Sequence, residues 1–186
     1  MTLTRRLQAA AACTILCWCK TTVAGPPLNM DDPGILEPGQ WELILAAVQW
    51  GLDSGDLLEA PVLDASLGVS ANSQVSFVLP YVIDNPFGEP GRSGLGFASV
   101  GYKWRFWSGE DSEWAIAPGL SFPVGHDLVE RDSPDDVNVA GIPLLYSKTS
   151  GDWTFLGQLS WYRDSGGARA WDYAVSASRP LTPSTL

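Results

Sequence analysis

The chain has 186 residues, enough for a single domain, and 11 basic against 21 acidic side chains give it a formal net charge of −10. That acidity argues against nucleic acid as a partner, because the phosphates would be repelled. Beyond residue 24, no window approaches the roughly 18 consecutive apolar residues of a membrane-spanning helix. A membrane protein of this sequence would have to cross the bilayer with strands.

Residues 1–24 have the pattern of a secretory signal peptide. Arg5 and Arg6 form the basic start, residues 7–19 are largely apolar, and Thr22-Val23-Ala24 fits a small-x-Ala cleavage site. Cleavage there leaves 8 basic residues against 21 acidic ones. It also removes all three cysteines, so the mature protein is expected to have no disulfide and no thiolate chemistry (Cys13, Cys17, Cys19).

The predicted mature chain has two parts. Residues 25–39, with four prolines and three acids, are expected to form an irregular N-terminal lead, and residues 40–186 a β-barrel domain. Alternation of apolar and polar residues predicts eight strands, near residues 40–50, 63–69, 75–81, 95–107, 114–124, 137–147, 153–161 and 171–177. Most of these runs have the length that a tilted strand needs to cross hydrocarbon.

Residues 95–107, LGFASVGYKWRFW, show the pattern most clearly. Ala98, Val100, Tyr102, Trp104 and Phe106 share one face of the predicted strand, and the other face carries mostly small residues and two cations. A strand whose apolar side faces outward and whose polar side faces inward is the unit of a barrel in lipid. The sequence therefore predicts an all-β, antiparallel, up-and-down transmembrane β-barrel.

The predicted connections alternate between long and short. Long segments rich in Gly, Pro and charge (51–60, 84–94, 125–136, 163–170) alternate with short turns (70–73, 108–112, 149–152). This is the pattern of long outer loops and short periplasmic turns.

Tryptophan placement adds a third signal. Of the nine tryptophans, eight lie outside the leader and all eight fall near a predicted strand end. An indole prefers the boundary between hydrocarbon and water, so these residues are predicted to form an aromatic girdle. They are Trp41, Trp50, Trp104, Trp107, Trp114, Trp153, Trp161 and Trp171.

Two prolines oppose the strand assignment. Pro118 and Pro143 fall near the middle of predicted strands, where each removes a donor from the ladder. Bulges or strand ends are expected at these positions.

Several ordered motifs resemble an outer-membrane family, the meta-pathway phenol-degradation proteins. The motifs are the lead PLNMDDPGILEPGQWEL and the strands VSFVLPYVIDN, GFASVGYKWRF and APGLSFPVGHD, and the resemblance runs from about residue 27 to 180. It implies a bacterial outer-membrane barrel that passes aromatic or other hydrophobic compounds, and it assigns no binding residues. Members are usually longer and end on a strand with a terminal aromatic, whereas this sequence stops at RPLTPSTL. A C-terminally truncated piece of a larger even-stranded barrel is therefore expected, with closure by eight strands as the alternative.

The sequence offers no convincing catalytic constellation, and the protein is predicted not to be an enzyme. His126 is the only histidine, and it stands in a Gly-His-Asp sequence on a predicted outer loop, without a nucleophile-elbow motif. His126, Asp127 and Glu130 give no recognised metal-ligand spacing. No cofactor is expected.

The alternation predicts that four charged side chains face the barrel lumen. They are Glu42, Asp64, Lys103 and Arg105. Charges in a barrel interior must be paired or wetted. They are interpreted either as salt bridges that fill and stiffen the interior or as a ring that selects a permeant by charge.

Taken together, the sequence favours an exported outer-membrane barrel of a Gram-negative bacterium, a passive channel for small, hydrophobic or aromatic compounds. Its expected partners are outer-membrane lipid, lipopolysaccharide, the barrel-assembly machinery and a small-molecule permeant. Two alternatives remain open at this point: a soluble periplasmic barrel or sandwich that binds an apolar ligand inside, and a lipid-modifying barrel enzyme.

Overall fold

The structure is a computed structural model that describes residues 30–52, 55–125 and 137–180. Within these residues it is all-β, and every strand pairing is antiparallel, which confirms the predicted class. The strands are β1 (Trp41–Leu52), β2 (Gly55–Ser70), β3 (Ser73–Pro86), β4 (Arg92–Leu95), β5 (Phe97–Ser108), β6 (Ser112–Ile116), β7 (Gly119–Pro123), β8 (Val139–Ser150), β9 (Trp153–Asp164) and β10 (Arg169–Ser178). None of the described segments is a helix long and apolar enough to cross a membrane.

The ten strands form one sheet, and the chain meanders through it up and down. The main path is β1-β2-β3-β5-β6-β8-β9-β10, while β4 pairs with β3, and β7 pairs with β5 and β8. Eight of the strands correspond to the eight predicted ones. The other two arise because β4 was not predicted and because the predicted fifth strand is divided into β6 and β7.

The break between β6 and β7 contains Pro118 and lies opposite Pro143 of β8. The main-chain N–H of Ala117 donates to the Pro143 carbonyl at 3.0 Å, and the N–H of Tyr102 donates to the Pro118 carbonyl at 2.9 Å. Both prolines therefore accept hydrogen bonds where neither can donate one. The expected irregularity is confirmed at Pro118, whereas β8 runs through Pro143 without a break.

The predicted long loops are wrong in three of the four cases. β1 and β2 pair up to Leu52 and Gly55, β3 continues to Pro86 and forms a hairpin with β4, and β9 and β10 pair up to Arg163 and Arg169. A polar, glycine-rich composition is typical of loops, but the backbone ladder needs no apolar side chain to continue. The fourth predicted loop lies, except for residue 125, outside the described residues.

The sheet is curved around the N-terminal segment, which we define as residues 30–39. Gly34 lines one cavity together with Glu42 of β1 and another together with Ser178 of β10. A flat sheet of eight strands would be ~34 Å wide, so its two edge strands would be too far apart for one residue to lie near both. The sheet must therefore curve. The face that the N-terminal segment covers is called the inner face below.

The two faces of the sheet differ in chemistry. The outer face carries most of the exposed large apolar side chains, whereas Ser66, Asp84, Lys103 and Ser160 on the inner face are buried. Residues 1–29, 53–54, 126–136 and 181–186 lie outside the described part, and with them the predicted signal peptide, the start of the predicted lead, His126, Asp127, Glu130 and the last six residues of the chain.

Candidate functional site

The inner face is lined by small residues in its middle, namely Ser76, Ser99, Gly101, Gly119, Ser121 and Gly141. The hydroxyls of Ser99 and Ser121 lie 2.7 Å apart on neighbouring strands. With so little side-chain volume, the space between the sheet and the N-terminal segment is not filled. It contains the cavities in which a solute or water could lie.

The largest of these cavities has a volume of about 570 Å³. Its wall combines the N-terminal segment with β1, β2, β3 and β5, and its charged side chains are Asp31, Asp32, Glu42, Asp64 and Lys103. A neighbouring cavity of about 180 Å³ shares Ser76 and Gly101 with it and extends toward Tyr162. Carboxylates thus outnumber the single ammonium group in the larger cavity.

Lys103 is held by the N-terminal segment. Its Nζ donates to Asp31 Oδ1 at 2.7 Å and to the Asp32 carbonyl at 2.9 Å. The Lys103 side chain is 9% exposed and that of Asp31 is 52% exposed. A buried ammonium requires such partners, because an unpaired charge would be costly there.

Arg105 forms a second ion pair, nearer the short-turn end of the strands. Its Nη1 donates to Glu113 Oε1 at 2.8 Å and its Nη2 to the Ala71 carbonyl at 3.1 Å. The Ser108 hydroxyl donates to the same Glu113 oxygen at 3.1 Å. The Arg105 Nε is buried without a hydrogen-bond partner. This group joins β5, β6 and the β2–β3 turn.

The structure brings three of the four predicted lumen charges to one cavity. Glu42, Asp64 and Lys103 line it together, whereas Arg105 pairs separately with Glu113. The sequence missed three partners, namely Asp31, Asp32 and Glu113. Only Glu113 could have been found, since it lies one residue before Trp114 at the start of a predicted strand beside that of Arg105.

The predicted girdle tryptophans with described side chains lie on the outer face. Trp41, Trp107 and Trp171 are the most exposed of them, and Trp114 packs on Tyr146 with ring centroids 4.4 Å apart. Toward the short-turn end lie Trp41, Trp104, Trp107, Trp114 and Trp153, and toward the opposite end Trp161 and Trp171. The main chain of Trp50 pairs with Leu57 at that opposite end, and its side chain lies outside the described part. Contact with a membrane boundary stays a prediction.

Among the described residues, no group of three or more His, Cys, Asp or Glu side chains is arranged to hold a metal ion. Comparison with known proteins returned no matching family model, no matching curated protein and no matching solved structure.

Proposed function

We propose that the protein is an outer-membrane β-barrel that acts as a passive channel for small, hydrophobic or aromatic compounds. In this proposal the curved sheet closes into a barrel in the bilayer, with the outer face against acyl chains and the inner face against water. The resemblance to meta-pathway phenol-degradation proteins agrees with this assignment and contributes the permeant class.

The observation that carries the proposal is the inverted distribution of apolar and charged side chains. Val100, Trp104 and Leu159 are 42%, 45% and 46% exposed, while Lys103 is 8% exposed. A water-soluble sandwich buries the apolar face of each sheet in its core and leaves its cations in solvent, which is the opposite arrangement. A barrel in lipid requires the arrangement seen here.

The interior is suited to the passage of small solutes. The inner face offers neighbouring cavities with Ser, Gly and carboxylate walls, which suit water and small polar groups of a solute. An entirely apolar permeant would gain little from such a wall, so the proposed solutes carry at least one polar group beside an aromatic ring.

Reconstitution tests the proposal. The protein is expected to leave isolated membranes only with detergent, and vesicles containing it are expected to swell faster than protein-free vesicles in a monosaccharide and in its phenyl glycoside. The phenyl glycoside is a suitable probe because its sugar keeps it from crossing lipid while its ring tests aromatic access. Release without detergent, or swelling no faster than in protein-free vesicles, would contradict the proposal.

A further inference from the structure

The N-terminal segment divides the space inside the curved sheet. On one side it borders the cavity of about 570 Å³ against β1, β2, β3 and β5. On the other side it borders a cavity of about 280 Å³ against β6, β8, β9 and β10. Asp32 and Gly34 line both cavities, so the segment is the partition between them.

Residues 31–36 of the segment are attached to the sheet through the ends of long side chains of the strands. The Asp31 N–H donates to Gln158 Oε1 at 2.9 Å, the Leu36 N–H donates to Gln74 Oε1 at 3.0 Å, and Lys103 bonds Asp31 and Asp32. Backbone bonds begin at Gly39, whose N–H donates to the Gly68 carbonyl at 2.8 Å. Residues 31–36 could therefore leave the sheet without breaking any strand ladder.

We propose that residues 30–38 are a displaceable plug in the barrel interior, and that the Lys103–Asp31 ion pair is the latch that holds it. The plug separates the two cavities when docked and joins them into one path when it swings out about Gly39. This inference rests on the proposed channel function for its consequence, but the docking and release of the segment can be measured without any flux.

The two partners of the latch differ in burial, and this difference favours release of the segment. Lys103 is fixed in a central strand that pairs with β3 and with β6 and β7, while Asp31 lies on irregular backbone and is half exposed. Breaking the pair returns the carboxylate to water at little cost and leaves the ammonium in a cavity that Glu42 and Asp64 also line. Those carboxylates can replace Asp31 as partners of the released ammonium.

Gly68 provides a second, independent contact of the plug. A Cβ at this position would collide with the Glu37 carbonyl and lie 2.6 Å from the Leu36 carbonyl, while Gly68 itself is in an unstrained strand. Gly68→Val should therefore expel the segment by steric pressure, without changing any charge.

Thiol labelling tests the latch. In a chain whose Cys13, Cys17 and Cys19 are replaced by serine, Pro33→Cys puts a thiol at a fully buried site of the plug. Labelling by a water-soluble maleimide is expected to be slow in this parent and in Asp31→Glu, and about tenfold or more faster in Asp31→Asn and Gly68→Val. Asp152→Cys, exposed in a short turn, is the control and should react equally in every background. If Pro33→Cys prevents folding, Leu36→Cys gives the same readout.

The outcomes separate the two proposals. Fast labelling in the parent, or equal labelling in parent, Asp31→Asn and Gly68→Val, would overturn the plug. Where the parent permits swelling, faster labelling accompanied by faster vesicle swelling in Asp31→Asn and Gly68→Val supports the plug. Faster labelling in these variants with swelling equal to that of a swelling-competent parent would show a segment that obstructs nothing and so overturn the plug. Absence of swelling in every protein, together with the expected labelling pattern, would support the latch and contradict the channel.

Discussion

Lys103 and Asp31, which are 72 positions apart in the chain, form an ion pair of 2.7 Å on the inner face of the sheet. The pair joins a central strand to a segment that has no regular secondary structure. The buried ammonium group of Lys103 is thus neutralised by the N-terminal segment and not by a neighbouring strand. The inner face and the N-terminal segment therefore have to be considered as one unit.

The pair of Arg105 and Glu113 should contribute to stability. Glu113→Gln removes the carboxylate that accepts from Arg105 and Ser108, and it leaves a largely buried guanidinium whose Nε already lacks a partner. We expect the free energy of unfolding to fall by about 1–3 kcal/mol, measured by urea titration of the protein folded in lipid vesicles.

The double variant Arg105→Met, Glu113→Leu is the matched control. Replacement of both partners by apolar side chains leaves no unpaired charge, so it should cost less than Glu113→Gln alone. Equal losses in the two variants would mean that packing, rather than the ion pair, stabilises this end of the sheet.

The carboxylates of the largest cavity should make the proposed channel prefer cations. Asp31, Asp32, Glu42 and Asp64 line it with a single ammonium group, so cations are attracted and anions repelled. Glu42→Gln combined with Asp64→Asn is expected to shift the reversal potential in a salt gradient toward zero. Glu110→Gln, in the exposed turn after β5, is the control and should leave the potential unchanged. An unaltered potential in the double variant would show that these charges do not line the conducting path.

In the proposed membrane barrel, a charge on the outer face should destabilise the protein according to its depth in the bilayer. Leu159 lies in the middle of β9, and Ser150 ends β8 on the same face. Leu159→Lys is expected to cost about 2–4 kcal/mol of folding free energy in vesicles, and Ser150→Lys about 0–1 kcal/mol. The chain already has an exposed cation, Lys148, near the same end of β8. A lysine at Ser150 should therefore be tolerated. For a water-soluble sheet both changes would stay within about 0.5 kcal/mol.

The strand pattern was predictable because side-chain alternation is local. Val100, Tyr102 and Trp104 lie on one face of β5 and Lys103 on the other, as their spacing requires. The disturbance at Pro118 was predictable for the same reason, since a missing donor is a property of one residue.

Long-range features were not predictable from the sequence. Nothing local indicates that Asp31 reaches Lys103, or that Gly68 is small because the Glu37 carbonyl lies against it. The hairpin of β3 and β4 was likewise hidden, because its polar residues are paired by backbone bonds that composition does not encode. Partners and extensions of this kind depend on the curvature of the whole sheet.

In the proposed barrel, the outer face meets acyl chains and the inner face meets water. Phe77 and Ser76 are adjacent on β3, with Phe77 exposed on the outer face and Ser76 lining the largest cavity. Phe77→Cys and Ser76→Cys, each carrying a nitroxide spin label in vesicles, allow collision rates with oxygen and with a water-soluble nickel chelate to be compared. The proposed barrel predicts an oxygen-to-nickel ratio that is high at Phe77 and low at Ser76. A low ratio at Phe77, equal to or below that at Ser76, would contradict it.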